Sequence, residues 1–284
     1  LEAPTRGEIR LDGALVRTDD RKMLNRYRRA VQMVFQDPYA SVNPRMTVEE
    51  IVEEPLRLQR PYLDRKRRQA IVANRLDEVS LSMRDRAKRA DEFSGGQLQR
   101  IGIARALVLD PQVLICDEPV SALDVSIQAQ VLNLLAEIRE RRGVSILFIS
   151  HDLSVIRHLC SRTIVMYLGR IMETGPTAKV LAQPHHPYTK ALISSEPQID
   201  LSAPSGQGRG DRLILSGDPP SPAHPPSGCV FRTRCWQVSV ECETEVPNLS
   251  HCGRGRFSAC HHPLSVVRNT ASASPIRPLD RGRG

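Results

Sequence analysis

Aromatic residues are scarce, with one Trp, five Tyr and five Phe in 284 residues. The core must therefore be built mainly from Leu, Ile, Val and Ala. No run reaches the about 18 uninterrupted apolar residues that a membrane-crossing helix needs, so any membrane role is expected to be peripheral. Leu1 opens directly into a polar stretch, so no secretory leader is expected. Acidic residues are outnumbered, 32 against 40 basic ones, for a net charge of +8. Such a balance raises nucleic acid or an anionic surface as a partner. The basic residues are scattered, however, at Arg26, Arg28 and Arg29, at Arg65 to Arg68, and at Arg139 to Arg142. That pattern suits solvated helix faces, and no nucleic-acid partner is expected. A hydrophobic share of 40% against 25% charged excludes disorder by composition, and the length suits one α/β domain with a smaller appendage.

What is present reads as alternating elements. Glu8 to Leu11 alternates like a short strand, and Asp12-Gly13 comes next as a turn. Val31 to Phe35 is an apolar run suited to a strand. Between Thr47 and about Ser82, Val48, Ile51, Val52, Leu56, Ile71, Leu76 and Val79 recur at helical spacing. Another helix is expected from Ser94. Val113 to Cys116 is a continuous apolar run, expected to be a parallel strand covered on both faces. Ile127 to Arg142 reads as a helix stopped by Gly143, and Val144 to Ile149 as the next buried strand. Strand, helix, strand over residues 113–149 makes a βαβ unit and a parallel sheet. After Gly175 proline becomes frequent and apolar runs shorten, which places a boundary there. Residues 176–265 form a small irregular domain and residues 266–284 a polar tail.

The chemistry-bearing residues sit at the ends of these elements. Val113 to Cys116 delivers Asp117 and Glu118 to a strand's carboxyl end, where open α/β sheets bind ligands. Two adjacent acids suit phosphoryl chemistry, Asp117 holding Mg²⁺ and Glu118 orienting water. A plain acidic pair feeding the turn at Pro119 is the alternative. Ser94-Gly95-Gly96-Gln97 opens a helix, with Ser94 as cap and two glycines that permit close backbone approach to an anion. An ordinary capped helix start gives the same residues. His151 comes just after the strand ending at Ile149, and Gln36 ends the strand from Val31. Either side chain alone is uninformative.

Their fixed order is informative. Gln36, Ser94 to Gln97, Asp117-Glu118, Asp124 within Ser121 to Asp124, and His151 together resemble the nucleotide-binding subunit of ABC transporters. In that resemblance they are the Q-loop, signature motif, Walker B strand with catalytic glutamate, D-loop and switch histidine. Longer stretches are similar to the oligopeptide and dipeptide permease ATPases: Val34 to Pro38, Ser41 to Met46, Ser121 to Ser126, His186 to Leu192, and Gly228 to Cys235. The resemblance implies a P-loop NTPase-like α/β fold with a helical subdomain at about residues 40–93. It implies ATP hydrolysis with Mg²⁺, near Asp117 and Gln36, driving import of peptides or a related solute at the cytoplasmic face of the membrane. A second ATPase subunit, two transmembrane permease subunits and, indirectly, an extracytoplasmic solute-binding protein are the implied partners.

No G-x-x-x-x-G-K-[ST] occurs among the 284 residues. In the family this phosphate-wrapping loop precedes the stretch matched by Leu1 to Ile9. A fragment or misplaced start is therefore expected, with a gap in the sheet and exposed apolar surface. The rival is a degenerate subunit that lends only Ser94 to Gln97 to a partner's ATP. A soluble ABC ATPase acting on nucleic acid or ribosomes is a third reading. Cys229, Cys235, Cys242 and Cys260 lack the paired C-x₂-C spacing of zinc ribbons. The family includes members with a [4Fe–4S] cluster, which four thiolates could hold; zinc, disulfides and no metal stay open. Cys252 does not fit the pattern.

Overall fold

The computed structural model describes residues 4–196, 213–215 and 217–264. The expected polar tail at 266–284 lies outside the described residues. The chain divides into two compact units, Leu1–Cys160 and Ser161–Gly284.

The first unit opens with a hairpin of β1 (Arg10–Leu11) and β2 (Ala14–Leu15). Asp12 and Gly13 both adopt positive φ, the conformation a two-residue hairpin turn demands. Helix α1 (Arg21–Ala30) begins at Asp20, whose carboxylate accepts from two first-turn amides. It runs into β3 (Val31–Val34). Helices α2 (Val48–Gln59) and α3 (Arg65–Glu78) come next, the first closed at its start by a reciprocal cap between Thr47 and Glu50. Helix α4 (Gly95–Leu107) packs on both. Then come β4 (Val113–Asp117), α5 (Val125–Arg142), β5 (Ser145–Ile149) and α6 (Leu153–Leu159). Gly143 ends α5 in the left-handed region, at φ 63°, as its position in the sequence indicates.

The parallel sheet has the order β3-β4-β5. Leu114 and Cys116 of β4 are fully buried, in one core with Val34, Leu56, Leu76, Ile101, Leu107, Leu135 and Ile138. Coverage on both faces, expected from the apolar run, is not what forms. Burial alternates along β4 and β5, and Leu147 and Ile149 of β5 are 50% and 45% exposed. An apolar run tells how much oil a strand carries, not how many layers will cover it.

Ion pairs join three segments beside that core. Arg142 on α5 makes two bonds to Glu78 at the end of α3, at 2.6 and 2.7 Å, and a third to Asp110 at 3.0 Å. Arg75 reaches the same two acids at 3.3 and 2.6 Å.

The second unit carries β6 (Arg162–Tyr167), β7 (Arg170–Pro176), α7 (Thr177–Ala182), α8 (Pro187–Ser195), α9 (Glu241–Thr244), β8 (Ser250–His251) and β9 (Phe257–Ser258). Its antiparallel sheet has the order β6-β7-β9-β8. The boundary expected at Gly175 therefore falls inside β7. Chain texture changes there, but the β6–β7 hairpin is tied by β7–β9 pairing to Phe257 and Ser258, far along the second unit. Phe231 is fully buried against Tyr167, Tyr188 and His186, and burial lowers the His186 imidazole to about 4.

Candidate active site

Parallel register brings the carboxyl ends of β3, β4 and β5 to one edge of the sheet. Val34 is level with Cys116, and Asp117 with Ile149. The residues just beyond each strand are thus neighbours although far apart in sequence. Glu118 steps off β4 with φ 42° and is held there by its own amide, which donates to the Ile149 carbonyl at 3.0 Å. A left-handed backbone on a non-glycine residue costs on the order of 1–3 kcal/mol and tends to persist where function fixes it.

That turn aims the Glu118 carboxylate at two partners. Gln36 Nε2 donates to Glu118 Oε2 at 3.1 Å, and His151 Nδ1 lies 3.1 Å from Oε1. An ionised carboxylate only accepts, so the imidazole proton sits on Nδ1. The same logic fixes the Gln36 amide, whose nitrogen faces Glu118 and leaves its oxygen free for another ligand. Asp117 ends β4 immediately before, half-buried. Gln36, Glu118 and His151, read from three separate stretches, are therefore one hydrogen-bonded group. Hard oxygen donors from Asp117 and Gln36 fit a magnesium ion chemically.

The other site residues lie at helix starts. Ser94 caps α4 through a reciprocal box, its amide donating to Gln97 Oε1 at 3.0 Å. Gly96 is buried, and a Cβ there would collide with Ile127 Cγ2 of α5. Its missing side chain lets α4 and α5 approach, a packing reason the sequence does not disclose. Gly95 is the freer of the two glycines, flanked by Leu123 and by the hydroxyl of Tyr39. Asp124 caps α5, accepting from the Ile127 amide at 3.1 Å and the Ser126 hydroxyl at 2.7 Å. Those bonds hold its carboxyl below the ordinary range, the Ser126 bond first. No hydrogen bond among the described residues ties Ser94 to Gln97 or Asp124 to the Gln36–Glu118–His151 group.

Tyr39 is a residue that sequence reasoning misses. Its amide is fixed by Asp37 at 2.8 Å, which carries the ring from the loop after Gln36 to the start of α4. An aromatic directly after a turn-forming Asp37-Pro38 was the available signal. Also unforeseen is a groove of about 440 Å³ lined by Met33, Phe35, Leu58, Glu54 and Arg105. Arg105 lies over the Phe35 ring at 5.9 Å, and burial lowers its pKa.

In the second unit Cys229 and Cys242 share a buried cluster against which Cys235 packs. Burial raises the thiols of Cys229, Cys235 and Cys260, the last to about 12, and each also feels the charge of one or more of the others or of Cys242. Cys252 answers instead to Glu173 and Arg256. Among the described residues no three His, Cys, Asp or Glu side chains are arranged to hold a single metal ion.

Comparison with known proteins is consistent along the chain. Residues 1–121 match the family model described as ABC transporter, and residues 172–242 the one described as oligopeptide/dipeptide transporter, C-terminal region. A Brucella ovis protein named for peptide import and ATP binding is 51% identical over 92% of this chain and 80% of its own length. The oligopeptide transport ATP-binding protein AppF of Bacillus subtilis is 46% identical, over 92% of this chain and 78% of its own. Among solved structures, the ATP-binding cassette MJ0796 bound to ADP and Pi superposes with a TM-score of 0.55 at 29% identity, over 62% of this chain and 75% of that one. CbiO1 of Clostridium perfringens, part of an ABC transporter complex, gives 0.57 at 27%, over 64% and 70%.

Proposed function

The chain belongs to the ABC transporter ATP-binding proteins, and we propose that its Gln36–Glu118–His151 group is the hydrolytic end of a subunit that energises peptide import. The observation that carries this is the left-handed Glu118, bonded by both oxygens to residues from two other strand ends. Glu118 is the general base for the water that attacks the terminal phosphate. Both of its oxygens are engaged, so a water must displace or share one of the donors. Gln36 and His151 thus gate the base as well as orient it. Asp117 and the Gln36 oxygen would hold a magnesium ion, which would supply charge neutralisation at the phosphates. Ser94, Gly95, Gly96 and Gln97 present the start of α4 to a nucleotide, and Asp124 fixes the neighbouring helix.

The same reading supplies the partners: a second ATPase subunit, and two permease subunits that receive the work at the cytoplasmic face of the membrane. The groove between β3 and α2 supports a docking place for the permease. It offers Phe35 and Leu58, 45% and 73% exposed, beside the cation of Arg105, chemistry that fits an apolar segment carrying an acidic side chain. Copurification with the permease subunits tests this. Leu58→Asp is expected to cut recovery of the permease at least tenfold while the purified chain keeps its helical circular dichroism. Unchanged recovery removes the groove from the interface, and copurifying ribosomes or nucleic acid instead would favour the soluble-ATPase reading.

The gathered thiols support a [4Fe–4S] cluster on Cys229, Cys235, Cys242 and Cys260. A cubane is larger than an ion, so its ligands stand further apart than those of a single metal, and the lack of a single-ion arrangement does not oppose it. Such a cluster would supply one-electron redox chemistry or a structural clamp. Anaerobically purified chain is expected to carry iron and acid-labile sulfide, and Cys235→Ser to lose both. A colourless, iron-free native preparation rejects the cluster.

A further inference from the structure

Helix α4 holds the segment around Gln36 at three points. Gln99 Nε2 donates to the carbonyl of Phe35, the residue before Gln36, at 3.4 Å. Arg105 Nη1 donates to the carbonyl of Ser41 at 2.5 Å. At the start of the helix, a Cβ on Gly95 would lie 3.5 Å from the Tyr39 hydroxyl oxygen and 3.7 Å from its ring. The Tyr39 ring therefore covers the face of Gly95 where a side chain would begin. Gly95 and Gln99 stand one turn apart, on one face of the helix.

Packing alone does not account for Gln99. It is 2% exposed, on a helix whose Leu98 and Ile101 belong to the apolar core. A buried amide is costly unless it is bonded, and an apolar side chain of like size would fill the same space. The reason lies in β3. That strand and its ladder to β4 stop at Val34, so the Phe35 carbonyl is left without a strand partner and takes its donor from α4. The next residue is Gln36, whose side-chain nitrogen bonds Glu118 Oε2 at 3.1 Å. On the far side, Asp37 accepts from the amides of Tyr39 and Ala40 at 2.8 and 3.2 Å. Those bonds give the loop a fixed shape, through which the Tyr39 contact reaches back to Gln36.

We propose that Gln99 and Tyr39 are positioning residues for hydrolysis, which fasten the chain on either side of Gln36 to α4 and so keep the Gln36 amide on Glu118. The inference rests on the reading of Gln36, Glu118 and His151 as the hydrolytic end. Neither side chain bonds to Glu118 or His151 among the described residues, and both act through Gln36. Loosening either one leaves the base in place but lets its partner wander, and small displacements of a catalytic group are costly in rate.

The experiment compares Gln99→Met, Tyr39→Ala and Tyr39→Phe in the assembled transporter, each in the native and in the Gln36→Ala background. Turnover and KM for ATP are measured, together with hydrogen exchange over residues 35–41. Gln99→Met and Tyr39→Ala are each expected to lower kcat about tenfold while KM changes by less than about twofold. Both should speed exchange over residues 35–41, a readout that does not depend on hydrolysis. Tyr39→Phe, which keeps the ring, is expected to behave as native. In the Gln36→Ala background neither variant should lower kcat further, because the effect passes through Gln36. A merely structural role would cost the same in both backgrounds, and additive losses overturn the proposal. So does native kcat or unaltered exchange in Tyr39→Ala, which at 61% exposure can be made without disturbing the core should Gln99→Met fail to fold. Native turnover in Gln36→Ala also overturns it, since nothing would then remain to be positioned. Native turnover in Glu118→Gln would instead remove the hydrolytic reading itself.

Discussion

In the assembled transporter, Glu118→Gln is expected to lower ATP hydrolysis by about 10²- to 10⁴-fold, the usual contribution of a positioned general base. The amide keeps the size of the carboxylate and the backbone conformation at φ 42°, so nucleotide binding should survive while turnover stops. His151→Ala and Gln36→Ala are expected to lose less, because each removes one donor to Glu118 and leaves the base itself. The measurement is phosphate release at saturating ATP alongside a nucleotide-binding titration. Equal losses of binding and turnover in Glu118→Gln would show that the residue holds the fold or the nucleotide, and the general-base role would fall.

The second large effect concerns stability. Glu78 receives both prongs of Arg142, at 2.6 and 2.7 Å, with side-chain exposures of 11% and 22%. Burial by itself would raise the Glu78 carboxyl, but Arg142 foremost, then Arg75, hold it below the ordinary glutamate range. Glu78→Gln removes the charge that two half-buried guanidiniums face, and about 3 kcal/mol of stability is expected to go with it. The lowered value fixes the pH sign. The carboxylate's contribution is present above the unfolded glutamate pKa and is lost as pH falls through the folded one. Native chain should therefore lose stability on the acid side more steeply than Glu78→Gln, checked by urea unfolding at a series of pH values. A control at the exposed Arg17–Asp19 pair, 63% and 69% exposed, should leave the midpoint unmoved.

Much of the first unit was legible because local signals agreed. Thr47, Ser94 and Asp124 each cap the helix that begins one residue later, and Gly143 stops α5 in the left-handed conformation that glycine tolerates best. The apolar runs at Val31, Val113 and Val144 became three parallel neighbours, and the residue order pointed to one chemical group. Less legible were features made by contacts between distant segments. Gly96 has a packing role as well, which is hidden until Ile127 is seen where its side chain would stand. Arg142, Glu78, Arg75 and Asp110 are four ordinary surface charges in sequence, since nothing local tells which acid each arginine will face. Composition places the β6–β7 hairpin with the first unit, because chain texture changes at Gly175 whereas the packing changes after Cys160.

By itself, then, the chain's order of residue types determined which side chains bear the chemistry, because caps, strand ends and glycines act over a few residues and leave local marks. Tertiary structure alone decided that Glu118 meets both Gln36 and His151, and that Arg142 and Arg75 face Glu78 and Asp110. These are meetings of groups separated by tens of residues, or turned toward one another by a local fold that such distant contacts hold. Strand register and helix packing fix them, and no local pattern encodes them.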